Sequence, residues 1–264
     1  MIKISLAILL FAATPSFAQD SNPKSTWASS PVTIDGKAKE WKLPLRLYDS
    51  GTKLFFAFAN DNKNLYLCFQ APDKMFQTKI MGAGMETSLS DKGKHKVSVI
   101  FPLAQRSSSV PPAGNDKEQA TDRRNSNTSF VLQNTFMEVK GFATRNGIIS
   151  INDTSGINAA INFDENNILT YEIAIPYKEW FGPGFSINDL AKEISLEVTI
   201  NALKQPRHEK GAGANGTVNI GKRRQTNNDR NEENQVLPGE YKYTLYTKVK
   251  LKQRFILAKG NDDN

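Results

Sequence analysis

The side chains that could carry chemistry in this chain are few, and the two histidines set the first limit. His95 and His208 are the only imidazoles in 264 residues. A histidine-rich zinc site and the zinc-protease helix motif are therefore excluded. A Ser-His-Asp triad would need one of these two side chains, and the sequence contains no Gly-x-Ser-x-Gly elbow to present a nucleophilic serine. The histidines thus give no support to a hydrolase.

Carboxylates are the next candidates, because glycoside hydrolases use two of them about 5 to 9 Å apart in space. Four lie in strand-like segments: Glu86, Asp91, Glu138 and Glu172. Spacing along the chain does not test a spatial separation, and nothing singles out one pair. A solvated sheet face is the favoured interpretation, and we predict that the protein is not an enzyme.

Two glycine-rich stretches resemble nucleotide-binding loops in their letters alone. Gly211-Ala-Gly213-Ala-Asn-Gly216 matches the dinucleotide fingerprint, and Gly216 to Lys222 approaches a phosphate-binding loop. Arg223 stands where the phosphate-binding loop needs a serine or threonine hydroxyl. The sequence predicts no helix after either stretch, although a helix N-terminus is what holds the phosphates. We therefore predict loop glycines and no nucleotide cofactor.

The first eighteen residues have the layout of a secretory signal peptide. Lys3 precedes the apolar run Ile4 to Ala13, and Ser16-Phe17-Ala18 provides small residues for cleavage. An apolar run of about ten residues is too short for a transmembrane helix, which needs roughly 20. We predict a protein exported to the periplasm or the extracellular space, without a transmembrane anchor. Cys68 is the single cysteine, so an intramolecular disulfide is impossible.

The chain is basic, with a formal net charge of +7. The excess is concentrated at Lys222-Arg223-Arg224 and between Lys248 and Arg254. A solvated basic surface is favoured over an anionic partner such as an acidic polysaccharide or a lipid headgroup. Export and the lack of a recognition motif argue against nucleic acid.

The elements that must position these groups are strands. Apolar and polar residues alternate in several segments, among them Val97 to Phe101, Ile194 to Ile200 and Tyr241 to Leu251. This period of two places one set of side chains on a core and the other in water. About ten to twelve short strands separated by turn signals predict an all-β protein, an antiparallel two-sheet β-sandwich that is jelly-roll-like. Helix is restricted to single turns at 177–180 and 186–192.

Two polar stretches interrupt this pattern, at residues 105–129 and 204–239. Both are rich in Gly, Ser, Asn and basic residues and poor in large apolar ones, so we predict long mobile loops. The expected organisation is a signal peptide (1–18), an N-terminal extension (19–30), a single sandwich domain (31–256) and a C-terminal tail (257–264). Linkers between two domains are the alternative, but the chain after the second loop is too short for a domain.

Several motifs in order resemble the family 9 carbohydrate-binding modules and their DOMON-like relatives. Val32-Thr33-Ile34-Asp35-Gly36 followed by Glu40-Trp41 is similar to the family's "I-D-G … W" opening. Asp61 to Leu67 is similar to its turn and "L-Y" strand, and Gly84 to Gly93 to a strand and turn with acidic residues. Leu169 to Pro176 resembles its "Y-E-x-x-I-P" strand. The resemblance implies a two-sheet antiparallel sandwich, in which Trp41 is a core anchor beside the Asp35-Gly36 turn.

Members of this family that bind sugar stack aromatic side chains on the pyranose ring and bond its hydroxyls with charged and amide groups. The resemblance therefore implies an oligosaccharide or polysaccharide ligand. The candidate ligand-binding residues are, for stacking, Trp180, Phe76 and Tyr177 and, for the hydroxyls, Glu86 and Arg207. Some relatives carry structural calcium, and no calcium ligands are assigned here.

Two alternatives remain open. The first is a structural or interaction module of the cell envelope that docks a protein partner through its basic loops. The second is a haem-binding DOMON-like domain, for which the axial ligands would come from Met75, Met81, Met85 or His95. Buried or loop methionines are the commoner interpretation of the same residues.

Overall fold

A computed structural model describes residues 22–91, 94–103, 119–185, 193–205 and 243–260, with the backbone alone for 119–125. The first of its two sheets, the covered sheet, has the strand order β1-β3-β4-β10-β9, with β2 also paired to β3. Its strands are β1 (Thr26–Trp27), β2 (Leu47–Asp49), β3 (Leu54–Asn60), β4 (Asn64–Ala71), β9 (Asn158–Phe163) and β10 (Leu169–Pro176).

The second sheet, the open sheet, has the order β12-β11-β5-β6-β7-β8, and every neighbouring pair in it is antiparallel. Its strands are β5 (Met85–Asp91), β6 (Lys94–Phe101), β7 (Phe136–Lys140), β8 (Gly147–Ser150), β11 (Glu193–Ile200) and β12 (Val249–Ile256). In the covered sheet, the short contact of β1 with β3 is parallel and the remaining pairs are antiparallel. The predicted antiparallel two-sheet sandwich is confirmed.

The core lies between the two sheets and is formed by the apolar half of each alternating strand. Phe58 of the covered sheet stacks on Phe255 of the open sheet, with ring centroids 4.1 Å apart. Phe101 and Tyr171 meet across the same interface at 5.8 Å. Large aromatic rings bury much apolar area, and stacked pairs add a further contribution. The period-two pattern therefore locates the core correctly.

Three helices connect the strands: α1 (Lys74–Ala83), α2 (Gln119–Gln133) and α3 (Tyr177–Phe181). Asp73 caps α1, since its side chain accepts from the backbone N–H groups of Met75 and Phe76. Gly84 ends the helix at φ 78°, where a Cβ would meet the carbonyl oxygen of Pro102 at 2.4 Å. Among the described residues no helix is long and apolar enough to cross a membrane.

Three element predictions are corrected and one is confirmed. Helix is not restricted to single turns, because α1 has ten residues and is capped by the Asp73 side chain. The predicted loop 105–129 is helical from residue 119 onward, because α2 runs to Gln133. The predicted strand from Tyr241 to Leu251 is a helical turn at 243–245, and β12 begins at Val249. Tertiary contacts override the alternation there, since Leu203 donates its backbone N–H to the carbonyl of Leu245. The predicted turn after Pro176 is α3, whereas 186–192 and 206–239 lie outside the described residues.

The outer faces of the two sheets differ, and this difference positions the candidate site. The segment between β1 and β2 packs over the covered sheet, where Ala38 and Leu45 lie on Cys68. Trp41 contacts the same face at Tyr66. On the open sheet the outward positions of β12, β11 and β5 carry charged or hydroxyl-bearing side chains. The open sheet therefore presents a polar face.

Candidate functional site

The three aromatic rings predicted to stack on a ligand lie in the core. Phe76, Tyr177 and Trp180 are only 2 to 3 % exposed. Trp180 also donates its indole N–H to the carbonyl of His95 at 2.5 Å, which holds α3 against the start of β6. In this arrangement none of the three rings offers a free face to a sugar, so the structure places them as packing residues.

Of the predicted ligand-binding residues that the structure describes, Glu86 is the one that is accessible to solvent. It points outward from β5 and shares one row of the open sheet with Thr199 and Lys250. The hydroxyl of Ser88 donates to its carboxylate at 3.4 Å. Arg207 lies outside the described residues, and among the other four the structure separates Glu86 on the outer face of the open sheet from the three buried rings.

Among the residues suggested for haem ligation, Met85 and His95 lie far apart. Met75 and Met85 are buried in the apolar core. Met85 opens β5 and pairs with Phe101 at the end of β6, whereas His95 lies next to the hairpin turn at the other end. Six residues of strand correspond to about 20 Å. Met85 and His95 therefore cannot ligate one iron.

Glu172 lies on the covered sheet and is fully buried, with 0 % exposure. Its carboxylate accepts the backbone N–H groups of Gly36 and Ala38 and the indole N–H of Trp41. Burial raises the pKa of the carboxyl, and these N–H donors act in the opposite direction. The described hydrogen-bond donors to Glu172 are backbone N–H groups and the indole of Trp41, so we assign this carboxylate a structural role.

The outer face of the open sheet forms a depression that we call the serine groove. Its volume is about 440 Å³. Ser88, Ser90 and Ser195 lie in its floor, Lys96 lies at the β6 side, and Lys252 and Arg254 lie at the β12 side. Glu197 on β11 contributes the carboxylate, and Leu89, Leu196 and Gln253 complete the lining.

Strand pairing builds this groove from four strands. Arg254 of β12 lies opposite Ser195 of β11, which lies opposite Ser90 of β5. In the next row, Lys252 lies opposite Glu197, and Glu197 lies opposite Ser88. The serines at 195 and 90 leave space beside Arg254 in the first row, and in the second row Ser88 and its β6 partner Ser98 leave space beside Glu197. The depression is therefore a direct result of the register.

The electrostatics of the serine groove are mixed but weighted to positive charge. Glu197 binds Lys250 at 2.7 Å and Lys252 at 3.4 Å. The hydrogen bond from Lys250 lowers the pKa of Glu197, so this carboxyl stays ionised. Arg254 lies 3.6 Å from Glu193. Among the described residues, no carboxylate pairs with Lys96.

The lining groups of the serine groove suit hydrogen bonding to a polar ligand. A serine hydroxyl both donates and accepts, lysine and arginine donate, and a carboxylate accepts. The lining set contains neither histidine nor cysteine. Across the described residues, no group of three or more His, Cys, Asp or Glu side chains is placed to hold a metal ion.

A second depression, of about 390 Å³, lies between α2 and the turn that joins β9 to β10. Its lining is mainly amides and carboxylates, from Asn127, Thr128, Asn162, Phe163, Asp164, Glu165 and Asn167. The Asp164 carboxylate is already engaged, because it accepts the backbone N–H groups of Asn166 and Ile168 within the turn. This cleft is consequently a weaker candidate than the serine groove.

Sequence reasoning missed the serine groove, although part of its signal was present. Polar residues recur at every second position in Glu86-Thr-Ser88-Leu-Ser90 and in Ser195-Leu-Glu197, as they do from Lys250 to Arg254. Each run predicts a solvated strand face. That the three faces adjoin follows only from strand order.

Comparisons with known proteins give one structural likeness. Neither a family model nor a curated protein matches the chain. The chain is similar to a family 9 carbohydrate-binding module from Caldicellulosiruptor kristjanssonii, whose structure was determined in complex with glucose. The identity is 11 %, the TM-score is 0.38, and the match covers 92 % of this chain and 98 % of the other. Such values transfer neither residues nor a ligand to this chain.

Proposed function

We propose that this protein is an exported, non-catalytic carbohydrate-binding protein and that its ligand lies in the serine groove. The observation that carries the proposal is the row of small hydroxyls between charged rims on the uncovered polar face of the open sheet. Sugars present hydroxyls that both donate and accept, and the groove offers partners of both kinds. The leader-like residues 1–18 support export.

The shape of the serine groove supports a chain-like ligand. Lys96 on β6 and Lys252 on β12 are separated by three strand spacings, about 14 Å. The space between them is floored by Ser88 and Ser195 and is open to solvent. A shallow, open groove can still bind a sugar chain, because bridging water molecules can replace some of the direct hydrogen bonds between protein and ligand.

The test is binding of the purified protein to a panel of soluble polysaccharides, by affinity gel electrophoresis and calorimetry. Ser195→Trp fills the floor of the groove and is expected to weaken binding at least about tenfold, which corresponds to about 1.4 kcal/mol. Ser150→Trp is the matched control, since Ser150 is an exposed residue on β8 of the same sheet. Absence of wild-type retention on every polysaccharide, or equal binding by Ser195→Trp, would contradict the proposal.

A protein-interaction role in the cell envelope is the second candidate, and one observation favours it. Phe136 and Ile148 are 55 % and 68 % exposed and lie diagonally across the β7–β8 pair. Exposed apolar neighbours are typical of contact surfaces. Under this alternative, Phe136→Asp abolishes co-purification with an envelope protein, and Ser195→Trp leaves it unchanged.

A further inference from the structure

We propose that the serine groove selects anionic glycans, whose carboxylate or sulfate groups are bound between Lys96 on one rim and Lys252 and Arg254 on the other. This inference rests on the proposed function and specifies its ligand class. Three cationic side chains and one carboxylate line the groove. A neutral sugar would use the hydroxyls but would leave this positive excess facing water.

Lys96 is the first reason for the inference. Its side chain is exposed at the start of β6, and no described carboxylate lies within ion-pair distance of it. It is held in place by its strand, because the loop at Gly141 packs against its backbone carbonyl. An anion that enters the groove from this side meets an ammonium group without a competing partner among the described residues.

The opposite rim holds its cations loosely. The side chains of Lys252 and Arg254 are 73 % and 68 % exposed, and their distances to Glu197 and Glu193 are 3.4 and 3.6 Å. Exposed ion pairs of this kind contribute between about 0 and 1 kcal/mol, so a ligand anion can replace them. Glu197 keeps its shorter contact with Lys250, which lies outside the groove lining. Glu193 keeps the hydrogen bond from the side-chain amide of Asn22 at 2.8 Å, so displacement leaves neither carboxylate without a partner.

The floor completes the anion site. The hydroxyls of Ser90 and Ser195 lie side by side on paired strands, between the two rims. Hydroxyl donors and ammonium groups are a suitable set for carboxylate and sulfate oxygens, and arginine adds a planar pair of donors. The serine hydroxyls can bond either kind of glycan, whereas the cationic side chains on both rims add an attraction that only an anionic glycan gains.

The experiment measures binding of the full protein by calorimetry to an oligogalacturonate and to a neutral oligoglucoside of equal length. Sulfated dextran and plain dextran form a second pair, which separates carboxylate from sulfate as the source of the charge. The anionic member of at least one pair is expected to bind about tenfold more tightly at low salt and to lose this advantage at high salt.

Variants locate the charge. Lys96→Gln and Lys252→Gln are each expected to weaken anionic binding by about fivefold, the upper range for an exposed ion pair. Lys37→Gln is the control. It also removes one positive charge, but Lys37 is an exposed residue outside the groove that pairs with Asp35, so binding is expected to stay unchanged. Glu197→Gln removes the one groove carboxylate and is expected to strengthen binding by about threefold.

The outcomes separate this inference from the proposed function. Neutral glycans that bind as tightly as anionic ones, or weaker anionic binding by Glu197→Gln, overturn the anionic selectivity and leave carbohydrate binding in place. Binding to no glycan of either kind overturns both. Equal binding of the oligogalacturonate and of DNA with the same number of charges would show a general polyanion surface and contradict glycan recognition.

Discussion

The indole N–H of Trp41 donates to the carboxylate of Glu172 at 2.9 Å, although the two residues lie 131 positions apart. The same carboxylate accepts the backbone N–H groups of Asp35, Gly36 and Ala38. Two motifs of the sequence, Ile-Asp-Gly with its tryptophan and Tyr-Glu in β10, thus meet at one buried group. The carboxylate anchors the segment that covers the outer face of the covered sheet.

Glu172→Gln is expected to destabilise the protein by about 2 to 4 kcal/mol. The substitution replaces one acceptor oxygen with an amide N–H₂ group that faces N–H donors, while the side chain stays buried. Urea unfolding, followed by tryptophan fluorescence, should show a lower midpoint with an unchanged slope. Glu165→Gln, at an exposed position in the β9–β10 turn, is the control and should shift the midpoint by less than about 0.5 kcal/mol.

Lys79 gives a prediction for pH dependence. It is fully buried in the middle of α1, and its Nζ donates to the carbonyls of Thr244 and Thr247 at 2.9 and 2.7 Å. Burial lowers its pKa from 10.5 to about 8. Between these two values the unfolded chain binds more protons than the folded one, so the contribution of Lys79 to stability rises with pH in this window.

The comparison that isolates this effect is wild type against Lys79→Met, unfolded by urea from neutral pH to about pH 10. The variant loses two carbonyl contacts and is expected to be less stable throughout. The difference in unfolding free energy should grow by roughly 2 to 3 kcal/mol across the window, at about 1.4 kcal/mol per pKa unit. A difference that stays constant with pH would show that Lys79 does not titrate there.

Phe255→Ala tests the contact between the sheets. Phe255 is 0 % exposed and stacks on Phe58, so the substitution leaves a cavity between the two sheets. We expect a loss of about 3 to 5 kcal/mol in unfolding free energy. Phe136→Ala, which removes a ring that is 55 % exposed, should cost less than about 1 kcal/mol. Equal losses for the two variants would contradict the assigned core.

Cys68 is expected to be unreactive in the native protein. It is buried beneath Ala38 and Leu45, and burial together with the carboxylate of Glu172 raises its pKa. Disulfide exchange with a chromogenic reagent requires the thiolate, which is therefore scarce at mildly alkaline pH. The measurement is the labelling rate with and without denaturant. Rapid labelling of the folded protein would contradict this burial.

Local sequence patterns predict much of the fold but few of the residues in the candidate site. The alternation in Ile194 to Ile200 and the turn after Pro176 are local properties, and both are found as predicted. The sequence predicts Trp180 and Phe76 as ligand contacts, but an aromatic residue near a loop is compatible with either a core or a surface position. Their neighbours from other strands decide which of the two it is, and those neighbours are distant in sequence.

The sequence by itself determined the strand content, the apolar face of most strands and the two motifs that meet at Glu172. Only the tertiary structure decided that β11 pairs with both β5 and β12, which places Ser90, Ser195 and Arg254 in one row. The physical reason is that side-chain alternation belongs to each strand alone. Strand order depends on long-range packing of whole sheets, and the serine groove exists only where that order brings separate polar faces together.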